Sequence, residues 1–255
     1  MSRRARFTAA ALVGAACLCS ASGNPVVVDT QFTPKIRVYH GLRINAGSIF
    51  KPYFYVDKAA LWPSHEIEVC WEQGGFLGEH AWVQSAVARN IEKNSDFRFG
   101  ASWPTCDGDS RPRIRISVFD TTVAPESEVG YQSHNGSATP THMRMNFTFQ
   151  NWNQLCAATE NARERCIETI AVHEFLHAIG TLHEQIRNDY AQLDPACWAL
   201  YENSQDIHGS SPFALTDYDP KSIMNFCRDI YSSPTKLSVL DLVGLKALSL
   251  ISGHG

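Results

Sequence analysis

Residues 173–184 read HEFLHAIGTLHE, which places three histidines and two glutamates in an otherwise apolar run. Residues four apart on a helix share one face, a turn apart, so His173 and His177 can meet a single metal ion. Glu174 follows the first histidine directly, where it is poorly placed as a ligand but can reach a water beside such an ion. On an unbroken helix His183 would lie almost three turns beyond His173, too far to share the metal. Gly180 can take the left-handed conformation that ends helices, and a chain turning back there brings His183 to the same point. The run therefore predicts a helix to about Ile179, a glycine exit and a returning loop. His173, His177 and His183 are the expected ligands of one Zn²⁺, with Glu174 as the base. H-E-x-x-H by itself also arises in core helices whose histidines have other partners; Gly180 and His183 at these offsets are what favour the metal.

The remainder of the chain supplies a coherent setting. The N-terminus, MSRRARFTAAALVGAACLCSASG, has Arg3, Arg4 and Arg6 ahead of an apolar stretch from Phe7 to Cys19, and then small residues. By charge, length and flank, residues 1–22 read as a secretory signal peptide, which implies a secreted protein, extracellular or periplasmic. Beyond it, no apolar run reaches the roughly 18 residues needed to span a bilayer. The formal net charge of -4 offers no basic excess for a nucleic-acid partner. Six cysteines remain after the signal. An even count in an exported chain suggests disulfides, and six cysteines allow 15 pairings. Pairing neighbours within one lobe gives Cys70–Cys106, Cys156–Cys166 and Cys197–Cys227. A thiolate zinc cluster is disfavoured, because the mature chain lacks C-x-x-C.

Residues 23–60 show no clear helical period and read as an N-terminal extension or a pro-segment; residues 61–255 read as the domain. Within it, 65–72 and 113–120 alternate as strands, and 81–93 has helical spacing. Glu128 to Tyr131 and Met143 to Phe149 suggest two further strands around a Ser/Asn/Gly/His-rich loop. A long helix is expected over about 162–179, followed by irregular chain to about Thr235. Ser238, with Asp241 three residues on, opens a final helix. The class is α+β.

A second landmark is YDPKSIMNFC at 218–227, where Ser222-Ile223-Met224 has the look of a tight turn carrying a methionine. H-E-x-x-H-x-x-G-x-x-H followed by such a Met-turn resembles the metzincin signature. Glu184 directly after the third histidine, with Arg187 and Asp189 beyond it, makes the chain resemble the astacin subgroup. Looser likenesses lie in ALW at 60–62, SEVGY at 127–131 and LSVLDLVGL at 237–245. The resemblance covers 170–227 well and 60–255 loosely.

The resemblance implies a metzincin-like zinc metalloprotease domain. It would have a twisted mixed sheet and two long helices in an upper lobe, and an irregular lower lobe ending in a C-terminal helix. Met224 would underlie the zinc, and a protein or peptide substrate would lie along an edge strand within 127–149. The implied activity is that of a monomeric zinc metalloendopeptidase, with Glu174 as general base toward a zinc-activated water. The alternatives are a non-catalytic zinc module that binds protein on the same fold, and a hydrolase acting on a non-protein amide.

Three departures from the family stand out. Phe226 occupies the position of a Tyr that can contact zinc, with Tyr190 and Tyr218 as other sources of a phenol. Glu184, which in the family pairs with a newly cut N-terminus, follows no familiar pro-segment here, and a solvated loop position is the competing reading. Extra loops are expected near 100–112 and 132–142. Of the other histidines, His134 and His142 flank the second loop, as a second metal site or as surface residues. His40, His65, His80, His208 and His254 show no ligand spacing. Asn135 and Asn146 fit the N-glycosylation pattern.

Overall fold

The computed structural model describes residues 36–39, 42–45, 54–134, 136–187, 194–201, 212–227, 230–231 and 235–253. The signal-peptide residues, His40, Asn135, Tyr190, His208 and His254 lie outside them. Strands β1 (Ile36–Tyr39) and β2 (Leu42–Asn45) form an antiparallel hairpin. Then follow β3 (Tyr55–Asp57), β4 (Val69–Trp71), α1 (Leu77–Asn90) and β5 (Ile114–Val118). Strands β6 (Glu126–Ser127), β7 (Gln132–His134), β8 (Ser137–Thr139) and β9 (Thr141–Met145) come next. The chain continues through α2 (Gln154–Ala157), α3 (Glu160–Ala178), α4 (Pro195–Tyr201), β10 (Pro212–Ala214) and α5 (Val239–Ile251).

The central sheet is mixed, in the order β4-β5-β9-β6. Its first three strands are parallel, and β6 runs antiparallel along the edge. Parallel neighbours need crossovers, and α1 fills the one from β4 to β5. Side chains alternate along each strand. Ile114, Ile116, Met143 and Met145 are buried in the main core together with Val83, Val87, Ile167 and Ile170 from α1 and α3. Arg115 and Arg144 take the opposite face, where they pair with Glu72 and Glu126. The expected α+β architecture with a twisted mixed sheet and two long helices is present.

Several boundaries differ from the sequence reading. The strand expected at 128–131 lies two residues earlier, because Gly130 takes φ +65 and turns the chain off the sheet edge. The strand expected at 143–149 ends at Met145; Asn146 Oδ1 accepts from the amides of Thr148 and Phe149 and bends the chain there. The loop at 132–142 contains the β7–β8 hairpin. The lower lobe is less irregular than expected. In α4, Asp194 accepts from the amide of Cys197 at 3.1 Å and so caps a helix opened by Pro195, a signal present in the sequence D-P-A-C. All three expected disulfides form, with Cα separations of 4.9, 5.7 and 5.7 Å for Cys70–Cys106, Cys156–Cys166 and Cys197–Cys227.

Candidate metal centre

Helix α3 starts at Thr159, whose hydroxyl accepts from the Ala162 amide at 3.1 Å, with Glu160 favourably placed in the first turn. Its second half is buried almost all round, from Cys166 to Ala178 with Glu168 as the exception. A helix in that position fixes its side chains tightly. It ends as the sequence predicts. Gly180 has φ +108, its amide donates to His177 O at 2.8 Å, and the Thr181 amide donates to Leu176 O at 3.0 Å. These two bonds form the Schellman closure, and they satisfy carbonyls that the helix end leaves open. The Trp62 indole N–H satisfies a third, Ala178 O, at 2.7 Å.

The reversal brings the three histidines together. His183 Nε2 lies 3.1 Å from His173 Nε2 and 2.9 Å from His177 Nε2, and all three residues are buried. Tetrahedral zinc with bonds of 2.0–2.1 Å sets neighbouring ligand atoms about 3.3–3.4 Å apart, close to the two His183 separations, and all three atoms lie within 4.8 Å of one another.

The outer nitrogens decide the chemistry of the inner ones. His173 Nδ1 lies 2.8 Å from Ile223 O, and His177 Nδ1 lies 2.8 Å from Thr181 O. A carbonyl only accepts, so each Nδ1 carries the proton and each Nε2 points a lone pair inward. One proton on His183 could satisfy one of those lone pairs, whereas a cation satisfies the whole set. Burial, followed by the neighbouring His183 and His173, holds the His177 pKa well below the usual imidazole value, which keeps the ring neutral as a ligand must be. The donor set therefore fits Zn²⁺.

Glu174 is buried, and its Oε2 has no hydrogen-bond partner among the described residues. Burial, reinforced by Glu126 and opposed by Arg144, pushes its pKa up to about 8. A buried carboxyl with an open oxygen next to a histidine of this cluster has the perturbed environment found at groups that exchange protons.

The Met-turn meets the centre through its backbone. Ile223 O holds His173, and Met224 O accepts from the Glu184 amide at 3.0 Å, one residue past His183. Met224 itself is buried in the main core. The Phe226 ring centroid stands 4.9 Å from that of His173 and 4.4 Å from that of His183. Tyr218, considered above as another source of a phenol, has its hydroxyl 2.8 Å from Asn225 Nδ2.

Glu184 is not a solvated loop residue. It is 2% exposed, pairs with the equally buried Arg187 at 3.0 Å, and accepts from the Asp219 amide at 3.4 Å. Burial still pushes its pKa up to about 8 against the pull of Arg187. This partner was legible as an acid–base pair three residues apart in a short 3-10 turn.

Other sequence candidates fall away from the centre. His134 is exposed, and His142 is not one of the converging histidines; it lines a pocket of about 510 Å³ against β6 and β9, whose Glu126 and Arg144 also act on Glu174. Among the described residues, His173, His177 and His183 are the one group able to hold a metal. Asn146 is buried, with both ends of its amide engaged, so this sequon presents no accessible acceptor.

No family model matches the chain. No curated protein matches it either. Solved structures do. A structure of myroilysin is similar at 17% identity and TM-score 0.48, covering 75% of this chain and 96% of that one. High choriolytic enzyme 1, a hatching-enzyme zinc protease of the medaka fish Oryzias latipes, is similar at 18% identity and TM-score 0.43, covering 72% and 91%. A second myroilysin structure gives 18% identity, TM-score 0.44, and coverage of 75% and 86%.

Proposed function

We propose that the protein is a secreted zinc-dependent endopeptidase with His173, His177 and His183 as ligands and Glu174 as general base. One observation carries this reading: three imidazole Nε2 atoms converge, those of His173 and His177 with lone pairs turned inward by backbone carbonyls on Nδ1, and the residue after the first histidine is a buried carboxyl with an open oxygen. Bound zinc would supply Lewis acidity, polarising a peptide carbonyl and lowering the pKa of a water toward about 7. Glu174 takes the proton as that water attacks and returns it to the leaving amine. Ile223 O and Thr181 O hold the imidazoles in the tautomer that this requires. An extended peptide would add to the sheet at β6, whose antiparallel edge is the natural place for main-chain pairing. Three disulfides favour an oxidising compartment, extracellular or periplasmic. The substrate is protein or peptide, and the active form is taken as a monomer.

Phe226 favours a second reading, a zinc-containing module that binds protein without cleaving it. Its ring brings no hydroxyl to the ligand histidines, and one lost oxyanion donor costs roughly 10²–10³ in kcat. Metal analysis followed by peptide-library cleavage, with and without a chelator, separates the two. Chelator-sensitive cleavage supports the protease, and bound zinc without cleavage supports the module. Glu174→Gln should keep the zinc and lose turnover; normal cleavage by that variant would exclude Glu174 as the base.

A further inference from the structure

The segment Phe54–Ala60 precedes the recognised motif by more than a hundred residues, yet it runs alongside the metal centre. The Asp57 amide donates to Gly180 O at 2.9 Å, and the Leu182 amide donates to Tyr55 O at 2.8 Å. Val56 and Thr181 are bridged antiparallel between those bonds. The paired stretch, Gly180–Leu182, is the link between His177 and His183, and Thr181 O holds His177 Nδ1. On its other side β3 pairs with β10, from Pro212–Asp57 to Ala214–Tyr55.

Both ends of the segment are pinned by close packing. At the front, the Phe54 side chain lies directly on the α5 backbone. A Cβ on Gly244 would fall 2.1 Å from Phe54 Cβ and Cγ. At the back, Ala60 O accepts from the Tyr131 amide at 2.7 Å, and a Cβ on Gly130 would come within 2.0 Å of that oxygen. Phe54 and Val56 belong to the main core, while Tyr55 and Ala60 form a smaller cluster with Val129, Leu182 and Ile186. One strap thus ties the C-terminal helix, the third-ligand loop and the sheet edge together.

We infer that Phe54–Ala60 is a positioning strap for the third-ligand loop, that Phe54 is its anchoring residue, and that any removable leading segment ends before Phe54. The metal part rests on the zinc reading above. A loop of five residues between two ligands has many closed conformations, and a paired neighbour on its free edge selects one of them. Losing residues 54–60 would leave four backbone partners unmatched, Gly180 O and the amides of Tyr131, Leu182 and Leu215.

The full-length chain tests this with Phe54→Ala and, as the conservative variant, Phe54→Leu. The readouts are hydrogen exchange of the Leu182 amide, with the β5 amides as reference, and the rate of zinc transfer to a chelating dye. Phe54→Ala should speed both Leu182 exchange and zinc release by at least about tenfold at unchanged β5 exchange, and Phe54→Leu should restore most of the difference. Wild-type Leu182 exchange in Phe54→Ala would overturn the strap, and so would N-terminal sequencing of the exported mature chain that begins after Phe54. Absence of zinc from the wild-type chain would sink the zinc reading alone, since Leu182 exchange still decides the strap. If Phe54→Ala does not fold, Phe54→Val takes its place: Leu182 exchange faster than in Phe54→Leu at unchanged β5 exchange supports the anchor, and a wild-type rate in Phe54→Val overturns it.

Discussion

Ser222 donates its hydroxyl to Asp241 Oδ1 at 2.6 Å, which joins the Met-turn to the first turn of the C-terminal helix. The other carboxylate oxygen accepts from the Ile223 amide at 3.0 Å and the Ser238 amide at 2.9 Å. Asp241 is thus both the capping-box acid of α5 and the clamp on the residue whose carbonyl holds His173. Asp241→Ala would strand two donors in the interior, the Ser222 hydroxyl and the Ile223 amide, each worth about 1–3 kcal/mol when unsatisfied, and would free the half-buried Ser238 amide. It should lower unfolding stability by about 3 kcal/mol or more in urea titration, and weaken metal retention as Ile223 O shifts. Asp241→Asn keeps one acceptor and should lose about half as much. Equal stability of the alanine variant and the parent would refute the clamp.

Two glycines separate backbone strain from steric exclusion. Gly180 has φ +108, but an added Cβ would meet nothing nearer than Leu61 Cδ2 at 3.5 Å. Gly180→Ala should therefore cost only the conformational penalty, about 1–2 kcal/mol. Gly130 also has positive φ, and its Cβ would land on Ala60 O. Gly130→Ala should be clearly the more damaging change in thermal unfolding. Similar melting temperatures for the two variants would contradict the close approach at Ala60.

How much of this was legible follows from range along the chain. The helix with its Gly180 exit and the Ser238–Asp241 capping box are local patterns, written within four residues of where they act; the expectation of irregular chain to about Thr235 passes over the equally local Asp194–Pro195 helix start. Disulfide pairing followed neighbourhood. Strand ends were harder to place, because Gly130 and Asn146 end strands through φ and a side-chain turn rather than through a loss of alternation. The strap at 54–60 was not legible. Its partners, Gly180, Leu182 and Gly244, lie over a hundred residues away, and most of its contacts are backbone atoms that leave no trace in residue type.

His80 shows the same long-range dependence and yields a pH prediction. Its ring stacks on Trp71 with centroids 3.7 Å apart and planes 6° apart, and Phe147 closes the edge. Nε2 has no partner among the described residues. Burial lowers its pKa below 6.5, while Glu79, itself paired with Arg163, pulls the other way. Below pH 6.5 the unfolded chain takes up a proton that the folded chain resists, so stability falls as pH drops through the window beneath that value. His80→Phe keeps an aromatic stack and should flatten that slope between pH 6.5 and about 5, measured by urea midpoints. A slope unchanged in the variant would mean His80 is not the group responsible.

Phe226 supplies a test of the proposed chemistry apart from folding. Its ring centroid stands 4.9 Å from that of His173 and 4.4 Å from that of His183, so Phe226→Tyr adds a hydroxyl to a ring that packs on two of the proposed ligands. Phe226→Tyr adds a donor where charge would develop on the substrate oxygen. If the chain is a peptidase, kcat should rise with little change in KM, within the roughly 10²–10³ that one oxyanion donor is worth. A rise in kcat with unchanged zinc content would place the missing hydroxyl in the transition state. Unchanged kcat would mean that other donors, such as backbone amides near β6, already serve the oxyanion.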